Sequence, residues 1–128
     1  MSVDRTFTIT VVSTGSGNKY FIDGVQQATI NLVEGGTFRF DQSDSSNGGH
    51  PLRLSTTSGG THSGGSEYTT GVTTNGTPGD SGAYTEITVA SDAPTLYYYC
   101  SIHSGMGGQA NTPSTDVWGA GNWSAGLW

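Results

Sequence analysis

Short segments in which apolar and polar residues alternate recur along the chain, and glycine-containing turns separate them. In residues 6–14, for example, Phe7, Ile9 and Val11 alternate with threonines. A period of two places successive side chains on opposite faces of a strand, so each such segment predicts a half-buried β-strand. The predicted strands cover residues 6–14, 19–22, 28–33, 37–40, 52–55, 83–90 and 95–100. About seven short strands with regular turns predict an all-β fold, either a sandwich or a small barrel, and no segment predicts a helix.

The composition supports one folded domain with long loops. The 128 residues include 21 glycines, and hydrophobic residues make up 32%. The low apolar content is also typical of disordered chains, but 3 Trp, 6 Tyr and 4 Phe argue against disorder. Residues 56–82 offer only Tyr68 and Val72 as large apolar anchors. We therefore expect a long surface excursion there, with one edge strand near residues 68–73.

Charge and hydropathy exclude two classes of partner. The formal net charge is −6, and the four basic residues are scattered, so the sequence predicts no nucleic-acid binding. No segment has the roughly 20 apolar residues that a membrane-spanning helix needs, so we expect no membrane partner. The N-terminal residues show no signal-peptide pattern. Cys100 is the only cysteine, which excludes an internal disulfide.

The C-terminal residues form a short repeat. Trp118, Trp123 and Trp128 follow one another at intervals of five residues and are all the tryptophans of the chain. Such a short period is not the pattern of a globular core. We therefore expect a folded domain over residues 1–112 and a docking or assembly segment over residues 113–128. The alternative is a terminal strand that caps the sandwich.

Residues 97–107 contain the motif with the clearest chemistry. Cys100, His103 and Met106 form a C-x2-H-x2-M pattern directly after a predicted strand. A thiolate, an imidazole and a thioether together are a soft donor set that suits copper, which typically takes one more histidine. His50 and His62 are the two candidates. We favour His50, because it lies at the edge of a predicted strand, whereas His62 lies in a glycine-rich stretch that would have to be ordered.

The sequence resembles the cupredoxins, the small blue-copper β-sandwiches. The resemblance rests on I-x-L-x-x-G-G-x-x-x-F from Ile30 to Phe40, then His50, and then YYC-x2-H-x2-M-G. It implies a Greek-key sandwich in which His50, Cys100 and His103 are equatorial copper ligands and Met106 is the axial one. Two positions depart from the family. Ile102 stands where many members have proline, and Pro51 stands where many have an asparagine that ties the two ligand loops together.

Two functions are compatible with this resemblance. The first is a soluble electron carrier outside the cytoplasm, with His103 as the electron port. The second, which we favour, is a structural, decoration or attachment protein of a virion, because residues 40–60 and 96–108 also resemble modules of marine tailed-phage structural proteins. Its partners would be other virion subunits or copies of itself, bound through the tryptophan segment. We expect no enzymatic activity, since no nucleophile–base pair or carboxylate pair is evident.

Overall fold

The strands follow the alternation that the sequence predicts. The computed structural model describes residues 3–114, in which Phe7 and Ile9 are buried while Thr6 and Thr8 face solvent. The described residues form ten strands: β1 (Arg5–Thr14), β2 (Gly17–Ile22), β3 (Val25–Gln26), β4 (Ile30–Asn31), β5 (Thr37–Asp41), β6 (Leu52–Ser55), β7 (Val72–Asn75), β8 (Tyr84–Thr88), β9 (Leu96–Cys100) and β10 (Gly108–Asn111). The predicted all-β class is confirmed, with more strands than the seven expected.

These strands form two mixed sheets. The large sheet has the order β3-β2-β1-β5-β8-β7, and the small sheet has the order β4-β10-β9-β6. The pairs β1–β5 and β4–β10 are parallel, while the other pairs are antiparallel. In the small sheet, the register places Leu52 opposite Cys100 and Ser55 opposite Tyr97. This register places the residues that precede β6 beside the end of β9.

The core lies between the sheets and takes apolar side chains from both. Tyr98 of the small sheet contacts Tyr20 and Phe40 of the large sheet, with ring centroids 6.4 Å and 6.5 Å apart. Phe7 stacks on Phe40 at 5.5 Å, which extends the aromatic contact along the large sheet. Aromatic side chains bury a large area each, so these few residues stabilise a sandwich that is poor in apolar residues overall.

The structure corrects some predicted boundaries. Only Ile30–Asn31 of the predicted strand 28–33 belongs to a regular ladder. Leu32 still binds the end of β10, because Leu32 N–H donates to the Asn111 carbonyl at 2.7 Å. Two short 3₁₀ turns, Ser45–Asn47 and Gly60–Ser63, occur within residues 3–114, where no helical segment was expected. The first forms because the Asp44 side chain accepts from Ser46 N–H and caps the turn.

The long excursion at residues 56–82 is mostly exposed, as predicted. Tyr68 and Val72 pack against the core, and the edge strand lies at Val72–Asn75 rather than at residues 68–73. Within residues 3–114, no helix has the length and apolar character needed to cross a membrane. Of the segment 113–128, only the first two residues are described, and the three tryptophans lie outside the described residues.

Candidate metal centre

Three side chains with metal-binding atoms converge at one end of the small sheet. Donor atoms of His50, Cys100 and His103 all lie within 4.8 Å of one another. The Cys100 Sγ atom lies 3.8 Å from His50 Nδ1 and 3.7 Å from His103 Nδ1. The two imidazole rings are 4.7 Å apart between centroids. The structure therefore brings together three of the four predicted ligands in a cluster that can hold a metal ion.

The pairing of β6 with β9 produces this convergence. Leu52 lies opposite Cys100, so His50, which precedes β6 by two residues, lies beside the loop that follows Cys100. Ser101 N–H donates to the Pro51 carbonyl at 3.0 Å, which fastens the two ligand-bearing segments to each other. The resemblance to the cupredoxins implies that Pro51 removes a side-chain tether between the two ligand-bearing segments. The structure supplies a main-chain tether between the same loops.

The three residues of the cluster differ in exposure. Cys100 is fully buried, His50 is half-buried and His103 is exposed. Partial burial, together with the proximity of His103, lowers the pKa of His50. A lowered pKa keeps the imidazole neutral near pH 7, and the neutral imidazole is the form that binds metals. The Cys100 thiol is therefore shielded from solvent, and His103 is the residue of the cluster that faces solvent.

Residues of β2 and of the turn after β3 bind the ligand loop, residues 101–107. Lys19 Nζ donates to the Gly105 carbonyl at 2.7 Å. Gln27 Nε2 donates to the Gly107 carbonyl at 2.8 Å, and Tyr20 N–H donates to the Met106 carbonyl at 3.0 Å. These partners lie about 80 positions away in the sequence, so no local motif could indicate them. These bonds hold residues 105–107 of the loop in the absence of a metal ion.

Met106 is buried in the hydrophobic core, with 1% of its surface exposed. Burial removes the thioether from solvent, which suits both a core side chain and a weak axial ligand. Its role as the fourth ligand stays a prediction.

His62, the less favoured histidine, lies outside the cluster of donor atoms. It still contacts the site, because its Nε2 atom lies 2.8 Å from the carbonyl oxygen of Cys100. The 3₁₀ turn Gly60–Ser63 brings it there, and the buried Gly60 allows that turn to pack directly on the ring of Tyr99. The preference for His50 as the ligand agrees with this geometry, and the contact of His62 with Cys100 was missed.

The donor set indicates which metals fit. A thiolate with two imidazoles suits copper or zinc, whereas magnesium and calcium prefer sites made of oxygen atoms. No carboxylate belongs to the cluster found within residues 3–114. Comparison with models of known protein families gives no match, and neither does comparison with curated proteins.

Proposed function

We propose that this chain is a copper-binding β-sandwich module of the cupredoxin kind. The observation that carries the proposal is the convergence of the Cys100 thiol with the Nδ1 atoms of His50 and His103. Two imidazoles and one thiolate are the equatorial donors of blue-copper sites, which add a weak axial ligand. Met106 is our candidate for that axial position. Bound copper would give the site a strong thiolate-to-metal absorption and a one-electron couple.

The choice of copper over zinc rests on the ligand types. Structural zinc sites take four strong ligands from cysteine, histidine and carboxylates, and three such side chains form this cluster. The sequence offers a methionine as the fourth, and thioethers favour copper over zinc.

We assign the module a structural role, as a decoration or attachment protein of a virion. A metal held by His50 before β6, by Cys100 at the end of β9 and by His103 in the ligand loop would cross-link two segments of the sandwich and stabilise it. The resemblance to phage structural modules supports this assignment, as does the tryptophan repeat, which would dock on other subunits. In this role the partners are proteins of the same particle.

Electron transfer is the second candidate, and one observation favours it. Ile102 is 58% exposed and lies next to the exposed His103 in the ligand loop. An exposed apolar residue beside a ligand imidazole offers a contact surface through which electrons can leave the site. On this alternative the chain would be a soluble carrier of the periplasm or the extracellular space.

Metal stoichiometry tests the proposal. The metal-free protein is dialysed against Cu(II), and native mass spectrometry counts the bound ions in the wild type and in His50→Ala, His103→Ala and His62→Ala. We expect one copper per chain in the wild type and in His62→Ala, and weakened binding in the other two variants. Equal binding by all four proteins would overturn the assignment of the site.

A second comparison separates the two roles. The structural role predicts that copper raises Tm by several degrees and that the copper does not exchange electrons rapidly between molecules. The carrier role predicts fast, reversible reduction and electron self-exchange, with a smaller effect of copper on Tm.

A further inference from the structure

A buried glutamine brackets the segment that carries the first histidine ligand. Gln42 is 1% exposed, and its Nε2 atom donates to the His50 carbonyl at 2.7 Å. The Oε1 atom of the same amide accepts from Leu52 N–H at 2.9 Å. The amide thus binds the main chain on both sides of Pro51, much as a neighbouring strand would. Pro51 has no N–H, so Leu52 N–H is the first main-chain donor after His50 that can fix this stretch.

The amide is itself held in one orientation. Its second N–H donates to Asn47 Oδ1 at 3.0 Å, and Asn47 in turn donates to the Ile9 carbonyl at 2.8 Å. Asn47 is fully buried. The main chain at Gln42 is also anchored, because its N–H donates to the Ala83 carbonyl at 2.9 Å. Since each polar group has a partner, the side chain cannot rotate without losing buried hydrogen bonds.

Tyr20 provides a second donor to the same carbonyl. Its ring is fully buried, and its hydroxyl donates to the His50 carbonyl at 2.7 Å. Both lone pairs of that oxygen are therefore used by buried donors, Tyr20 on β2 and Gln42 directly after β5, while the His50 side chain belongs to the cluster. Two hydrogen bonds from buried side chains therefore hold the main chain of His50, from which the imidazole extends toward Cys100.

We infer that Gln42 is a positioning residue for His50, which sets the direction of the imidazole toward Cys100 by binding the main chain on both sides of Pro51. This inference rests on the proposed copper site. Gln42 contacts the main chain of the ligand segment and would not touch the metal. Outer partners of this kind typically change metal affinity about 10- to 100-fold when they are removed.

The test uses Gln42→Met, which keeps the length of the side chain and removes its polar groups. The matched control is Thr85→Val, since Thr85 Oγ1 donates to the Leu52 carbonyl at 2.9 Å and is equally buried. Both variants lose a buried hydrogen bond to the main chain of Leu52, but only Gln42→Met also removes the bond to the His50 carbonyl. We expect copper to bind Gln42→Met about 10- to 100-fold more weakly, with a shifted thiolate-to-copper band. Thr85→Val should stay within about twofold of the wild type with an unchanged band.

A readout without copper separates this inference from the proposed function. In the metal-free wild type, the rings of His50 and His103 are close enough for an NMR Overhauser contact, since their centroids are 4.7 Å apart. We expect this contact to weaken in Gln42→Met and to persist in Thr85→Val. If the wild type binds no copper, the proposed function fails, and the ring contact alone decides the inference.

Two results would overturn the positioning role. One is an unchanged ring contact in Gln42→Met. The other is an equal loss of copper affinity in Gln42→Met and Thr85→Val, which would indicate general destabilisation. If Gln42→Met does not fold, Gln42→Asn replaces it. The shorter side chain keeps an amide but lacks one methylene, so it cannot reach both His50 and Leu52, and the same outcomes are expected.

Discussion

Gly107 is the last residue of the ligand loop before β10, and among the described glycines it leaves the least space for an added methyl group. A Cβ atom built there would overlap the Tyr98 carbonyl oxygen and lie 2.6 Å from its carbonyl carbon and 2.9 Å from Tyr99 Cα. Favourable contacts between carbon atoms begin at about 3.5 Å, so Gly107→Ala requires a movement of the order of 1 Å. The obstructing atoms belong to the main chain of β9, so no side-chain rotation can relieve the overlap.

We expect Gly107→Ala to lower the free energy of unfolding by about 3 kcal/mol, the upper end of the usual cost of overpacking. Urea unfolding of the metal-free protein measures this change. The displaced loop carries His103 and Met106, so copper affinity should fall as well. The control is Gly15→Ala, because Gly15 has no neighbouring atom within 4 Å and no positive φ. Gly15→Ala should change the stability by less than about 0.5 kcal/mol. Equal stabilities of the two variants would refute the steric argument.

Three further predictions concern neighbouring features. Gly60→Ala should destabilise the protein more than Gly64→Ala in urea unfolding, because both glycines have positive φ but only Gly60 lies against the Tyr99 ring, with ring atoms 2.5 Å from a built Cβ. His62→Ala should retain one copper per chain in native mass spectrometry but shift the thiolate-to-copper band, since it removes a contact to the Cys100 carbonyl. The bonds from Ser46 lower the pKa of the Asp44 carboxyl below its ordinary 3.8. The ionised Asp44 carboxylate therefore stabilises the fold fully above pH 3.8, and this stabilisation is lost as the pH falls through the lowered pKa. The difference in the free energy of unfolding between the wild type and Asp44→Ala should therefore shrink in acid.

Several strands could be predicted from sequence to within one residue, whereas the predicted strands 83–90 and 19–22 differ by up to two residues from Tyr84–Thr88 and Gly17–Ile22. The predictions 37–40, 52–55 and 95–100 correspond to Thr37–Asp41, Leu52–Ser55 and Leu96–Cys100. Val25–Gln26 and Gly108–Asn111 escaped prediction, because their two or four residues carry no alternating pattern and form strands only by pairing with neighbours.

The ligands of the candidate site could be predicted from the sequence, but the groups that position them could not. Cys100 and His103 lie three residues apart, so a local motif indicates them, and the edge of a predicted strand indicated His50. The groups that fix these ligands come from elsewhere in the chain. Tyr20 meets the His50 carbonyl because the two sheets pack face to face, whereas Gln42 meets it because the connection between β5 and β6 brings the two residues together. Such contacts depend on the folded course of the chain, which a single sequence does not display.

The most direct test of the account is the optical spectrum of the metal-free protein after addition of one equivalent of Cu(II). Coordination by the Cys100 thiolate and two histidines predicts an intense blue or green charge-transfer band that saturates at one copper per chain. Cys100→Ser should abolish the band, because a serine oxygen cannot supply the thiolate transition. A wild-type protein that binds no copper, or a band that survives in Cys100→Ser, would contradict the assignment of this cluster as a copper site.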